Sequence, residues 1–117
     1  MIQDWIACRD YLLPAIERLN GTHTEDDVVA MILAGRFRLW RGVDCAIVTE
    51  IVRFPRMKVM NTFLAGGDMK EILSMKPMIE GAAKDAGCSR CLITGRKGWE
   101  RMHADYEFDN ITLRKDI

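Results

Sequence analysis

A chain of 117 residues and 13.4 kDa has room for one domain and is too short for two. Its 17 Lys+Arg balance 17 Asp+Glu, so the formal net charge is zero, which argues against nucleic acid as the main partner, because phosphate binding ordinarily leaves a basic excess. With 49% hydrophobic and 29% charged residues, the composition is that of a globular domain and excludes a disordered one.

From Asp4 to Leu19 the apolar residues Trp5, Cys8, Leu12, Ala15, Ile16 and Leu19 recur every three or four positions, which predicts an amphipathic helix. Pro14 should kink or break it, and Asn20-Gly21 stops it. Thr24 is a candidate N-cap, with Glu25, Asp26 and Asp27 in the turn where the helix dipole favours acids. Val28, Val29, Met31, Ile32 and Leu33 make the buried side of a second helix that ends at Gly35. The period then changes to two. Phe37 to Arg41 reads as a strand, Gly42-Val43-Asp44 as a turn, and Cys45 to Arg53 as a second strand closed by Phe54-Pro55-Arg56. Lys58 to Ala65 is a third strand, with Val59, Asn61, Phe63 and Ala65 on one face and Lys58, Met60, Thr62 and Leu64 on the other. Short turns make these three an antiparallel meander.

Gly66-Gly67 ends the meander, and Asp68 stands in the N-cap place of a helix carrying Met69, Ile72, Leu73, Met75, Ile79, Ala82, Ala83 and Ala86 inward. Pro77 predicts two helical segments meeting at a bend, and Gly87 closes the second. Arg90 to Thr94 follows as a strand reached by a crossover, hence parallel to the third. Gly95 to Ala104 predicts a short helix with Trp99 and Met102 inward, and Asn110 to Arg114 a last strand. Two helices, a three-strand meander, then helix, parallel strand, short helix and terminal strand make an α+β domain over residues 1–117.

Cys88-Ser89-Arg90-Cys91 has the spacing of a redox or zinc pair. It leads into a strand instead of opening a helix, where a dipole would stabilise thiolate, and Cys8, Cys45, His23 and His103 are scattered. Small buried hydrophobes at a loop–strand junction are the expectation, and no metal site is expected. Met1-Ile2-Gln3-Asp4-Trp5 has an early acid and no secretory pattern, and no segment approaches the about 20 apolar residues that span a bilayer. A cytosolic-type protein without a membrane partner is expected.

The element order, the strand ending in Phe63-Leu64-Ala65-Gly66-Gly67, the glycine-started helix, the strand Arg90 to Thr94 and the segment Trp99 to Tyr106 together resemble the GNAT superfamily of N-acetyltransferases, without its first strand. Ala65-Gly66-Gly67-Asp68, Gly87-Cys88-Ser89-Arg90 and Gly95-Arg96-Lys97-Gly98-Trp99-Glu100-Arg101 look like small GNAT-like proteins encoded by tailed bacteriophages. The resemblance implies an acetyl-CoA cleft where the two parallel strands splay. Phe63, Leu64 and Ala65 would flank pantetheine, and Gly66, Gly67, Met69 and Lys70 would face the pyrophosphate.

The chain departs from the family in two places. Gly66-Gly67-Asp68-Met69-Lys70-Glu71 lacks the family's phosphate-loop pattern, and Asp68 and Glu71 put negative charge where a phosphate would sit. Arg101 stands where many members carry a tyrosine acid, and arginine is a poor proton donor. Glu50 reads as a general base or a solvated strand residue, Tyr106 as a catalytic residue or a cleft wall, and His103 as an acid–base group or a surface residue. Gly66-Gly67 fits a tight turn as well as a phosphate cradle. Arg90, Arg96, Lys97 and Arg101 form a basic cluster facing a partner or solvent. The expectation is a degenerate phage-type GNAT scaffold that binds a phage or host protein in virion or host cell. A small acetyltransferase moving acetyl from acetyl-CoA to an amine is the alternative.

Overall fold

Local signals set the helix boundaries across residues 2–117, which the computed structural model describes. Helix α1 (Ile2–Glu17) turns Trp5, Cys8, Leu12, Ala15 and Ile16 inward. Pro14 lies inside it without a break, because the carbonyl that loses its partner belongs to Asp10, which is exposed. Asn20 and Gly21 at positive φ then reverse the chain. Helix α2 (Glu25–Leu33) opens on a full capping box, with Thr24 and Asp27 each bonding the other's backbone N–H.

Strands β1 (Phe37–Arg41), β2 (Cys45–Arg53) and β3 (Lys58–Gly67) pair antiparallel, and helix α3 (Met69–Asp85) crosses to β4 (Arg90–Ile93), which pairs parallel with β3. A single turn, α4 (Trp99–Met102), follows. Among the described residues the sheet has four strands in the order β1-β2-β3-β4, and the α+β architecture is as the sequence predicts. No helix is long and apolar enough to cross a membrane among these residues.

The sheet is covered on both faces. Helices α1 and α2 bury Leu12, Ile16, Val28 and Ile32 against Phe37, Ala46, Val48 and Leu64. Helix α3 buries Ile72, Met75, Ile79 and Ala83 against Trp40, Ile47, Met60 and Ala65. That continuous stripe holds α3 unbroken through Pro77, where the pattern predicts two segments.

Three further expectations are corrected. β3 does not keep one alternation along its length: Val48 faces Leu64 but Thr49 faces Thr62, so Phe63 is an extra residue in a β-bulge. Met60 and Ala65 therefore face α3 while Leu64 faces α1, an inversion that a period of two cannot express. Met102 is exposed, not inward, since α4 is too short to present more than Trp99 to the core. The predicted strand over Asn110–Arg114 is absent, and Glu107 to Ile117 forms no element. A strand exists only through a neighbour's ladder, and among the described residues no strand lies on the outer side of β4.

Candidate functional site

The bulge at Phe63 marks where β3 and β4 part. β4 pairs with Val59–Thr62 only, and the Thr94 N–H donates the last bond, to the Thr62 carbonyl at 3.0 Å. Beyond this point β3 runs on to Gly67 bonded to β2 alone, while the other chain turns away toward α4. A groove of about 380 Å³ lies in the divergence. Phe63 and Ala65 form one wall, Thr94, Arg96 and Trp99 the other, and Arg18 closes the end from the α1 side. Its lining holds two guanidinium groups and no acid. A backbone edge without a ladder partner beside two arginines suits an extended, amide-bearing ligand with an anionic group.

Two of the residues proposed to flank pantetheine, Phe63 and Ala65, line this groove, whereas Leu64 is buried beneath α1. Behind Thr94 runs a chain of side chains. The Thr94 hydroxyl donates to Asn61 Oδ1 at 2.9 Å, and Asn61 Nδ2 donates to Glu50 Oε1 at 3.2 Å. The structure thus ties Glu50 on β2 to the groove through Asn61 on β3 and Thr94 just past β4.

The residues proposed to face a pyrophosphate are placed differently. A Cβ on Gly66 would stand 1.9 Å from the Tyr11 carbonyl oxygen, so this glycine lets α1 lie directly on β3. Gly67 has φ +105°, and a Cβ there would meet the Asp44 carbonyl at 2.3 Å. Met69 is half-buried against the α3 core, and Lys70 is exposed on the first turn. Asp68 caps α3 by accepting from the Glu71 N–H at 3.2 Å. The Glu71 carboxylate accepts from the Val43 and Asp44 N–H groups, both at 2.7 Å, and these bonds hold it below the usual carboxylate range. The start of α3 carries two carboxylates where a helix terminus would otherwise attract an anion.

Tyr106 is on the α3 face of the sheet, away from the groove. Its hydroxyl donates to Glu80 Oε2 at 2.6 Å, and burial followed by Glu80 pushes its pKa up, so it keeps its proton. It borders a cavity of about 20 Å³ shared with Cys91, Lys76, Trp99 and His103. His103 is not a surface residue but 3% exposed, stacked on Trp99 with ring centroids 5.5 Å apart. Among the described residues neither ring nitrogen meets a hydrogen-bond partner, and burial followed by Lys76 lowers its pKa, which keeps the ring neutral. Trp99 walls both the groove and this cavity.

Sequence reasoning missed the Asn61–Thr94 link, the shared wall of Trp99 and the part of Arg18. Arg18, exposed in the turn just after α1, carries no signal of a groove, and Asn61 alternates like any strand residue. No family model matches the chain, and no curated protein or solved structure matches it.

Proposed function

We propose that this chain is a GNAT-like scaffold of phage type that works as an interaction component, binding a phage or host protein, and that it does not use acetyl-CoA. The observation that carries this reading is the pair of carboxylates at the start of α3. Asp68 occupies the Glu71 N–H, and the Glu71 carboxylate is held beside it by the Val43 and Asp44 N–H groups, so a pyrophosphate at the start of α3 would meet two anions. The element order supports the scaffold, and the groove beside Phe63 and Ala65 offers the partner an open backbone edge between Arg18 and Arg96. An extended segment bearing an acidic side chain is the chemistry it fits.

Titration calorimetry and thermal unfolding with acetyl-CoA test this. The expected result is no binding heat and no shift in melting temperature. A ligand at roughly 100 times its Kd stabilises a fold by about 2.7 kcal/mol, so saturable binding with such a shift would overturn the reading.

One observation favours the alternative, acetyl transfer to an amine. The Glu50–Asn61–Thr94 chain spends the Thr94 hydroxyl proton on Asn61, so in this groove the Thr94 oxygen can only accept, as from an amine. Mass-spectrometric detection of amine acetylation that is lost in Glu50→Gln would establish it. Equal turnover in the variant and the native protein would remove Glu50 from the account.

A further inference from the structure

The chain has asparagines at positions 20, 61 and 110, and only Asn20 is followed by a glycine. Asparagine is a chemically labile side chain, because the backbone nitrogen of the next residue can attack its amide carbon. The surroundings decide which one reacts. Asn61 is buried in the sheet and bonded on both sides, to Glu50 and to Thr94. Asn110 is exposed, but the branched side chain of Ile111 crowds the nitrogen that would attack. Asn20 is exposed, and Gly21 after it has no side chain to crowd anything.

The turn holds this pair loosely. Asn20 stands at φ +59° and Gly21 at φ +87°, and a Cβ on Gly21 would meet nothing within 4 Å. Among the described residues the Gly21 N–H has no backbone partner. The bond that spans the pair, from the Thr22 N–H to the Leu19 carbonyl, is long at 3.4 Å. The Gly21 peptide is therefore free to swing its nitrogen toward the Asn20 side chain.

We infer that Asn20 is a deamidation site and that its conversion to a carboxylate switches the charge of the groove beside Phe63 and Ala65. The Gly21 nitrogen bonds to Asn20 Cγ, the Cγ–Nδ2 bond breaks, and the proton lost by Gly21 leaves with Nδ2 as ammonia. Water then opens the cyclic imide at either carbonyl, which gives aspartate or isoaspartate at position 20. Amide and water become acid and ammonia, with nothing oxidised or reduced. Asn20 lines the groove together with Arg18 and Arg96, and no acid does. The nearest acid along the chain, Glu17, is exposed at the end of α1 and outside that lining. A carboxylate at position 20 is thus the first negative group of the site, and it competes with an acidic ligand for the same cations. This consequence rests on the docking function proposed above; the modification itself does not.

Peptide mapping by mass spectrometry tests the modification on the folded full chain, held in mildly alkaline buffer and compared with an unincubated sample. Trypsin places the three asparagines in separate peptides, 19–36, 59–70 and 102–114. The amide-to-acid gain in mass should grow with time in peptide 19–36 alone, as two products, and faster at higher pH. No gain there, or an equal gain at Asn110, would overturn the inference. The switch is read by titrating a capped oligoglutamate peptide into the native protein and into Asn20→Asp, since aspartate tolerates positive φ much as asparagine does. The variant should bind about 2- to 5-fold more weakly, the worth of one exposed ion pair. Equal binding would remove the switch. A native protein that does not bind the peptide would end the docking reading and the switch with it, while the mass gain still decides the modification.

Discussion

Replacing Gly66 by alanine separates a packing role from a ligand-binding one. The added Cβ would sit 1.9 Å from the Tyr11 carbonyl oxygen, well over an ångström short of ordinary van der Waals contact. The obstacle is helix backbone, so no side chain can swing aside; α1 itself must retreat, and with it the buried Cys8, Leu12 and Ala15. Overpacking of this kind costs about 1–3 kcal/mol, and a backbone clash belongs at the upper end, about 3 kcal/mol. For a chain of 117 residues, about 2.1 cal/mol/K of unfolding entropy per residue makes each kcal/mol worth about 4 °C, so the melting temperature should drop by about 12 °C. Gly81→Ala is the matched control. It lies inside α3 with nothing within 4 Å of the added Cβ, and it should stabilise by about 0.5–1 kcal/mol. Calorimetric melts of both variants without any ligand give the answer. A Gly66→Ala protein that melts with the native one would refute the packing account and restore the glycine as a place kept clear for a ligand.

Three other outcomes follow from the charges. His103 faces Lys76 and Glu80 from α3 and Asp105 and Tyr106 from its own segment, and burial then Lys76 lower its pKa below 6.5. The unfolded chain therefore binds the proton more readily, so stability is full above pH 6.5 and declines as pH falls below it; His103→Phe, which keeps the ring stack, should flatten that decline in melts across the range. An unchanged slope would assign the decline to other groups. Glu25 is held down to about 2 by bonds first from Arg9 and then from Trp5, so its contribution is present above 4.5 and lost as pH falls toward 2. The stability gap between native protein and Arg9→Met should close over that window in acid titrations. Burial and then Glu71 push the Cys45 thiol up to about 12, and burial raises Cys8. Burial raises the half-buried Cys91 as well, so Ellman's reagent at mildly alkaline pH should reach Cys88 first, Cys91 more slowly, and Cys8 and Cys45 only once denaturant is added, and Glu71→Gln should make Cys45 the earlier of the two buried thiols to react.

What the sequence made legible was local. Thr24 and Asp68 as caps, the Asn20-Gly21 stop and the inward stripe of α1 each depend on residues within one turn of each other, and all appear in the structure. The bulge at Phe63 depends on how β2 aligns against β3, and no residue in β3 announces it. His103 reads as an acid–base group or a surface residue, yet it is buried, with Trp99 stacked on it and Tyr106 at its edge. Asn110 to Arg114 shows the converse case. Its strand pattern is real, but pattern supplies only one side of a ladder.

The two parts of the resemblance that concern a cofactor rest on different physics, and the structure treats them differently. A gap between parallel strands is a matter of backbone geometry, and the divergence of β3 and β4 after Thr62 provides one. An anion site is a matter of free donors and sign, and at α3 the capping donor is taken by Asp68 while Glu71 adds charge of the wrong sign. Glu71 also bridges to the β1–β2 turn through Val43 and Asp44, so its carboxylate is part of how that turn is held against α3. A residue that closes a turn with its charge cannot be given up to admit a phosphate without loosening the fold there. The groove, in contrast, can take an extended ligand while every one of these bonds stays in place, which is why the function proposed above is binding without chemistry.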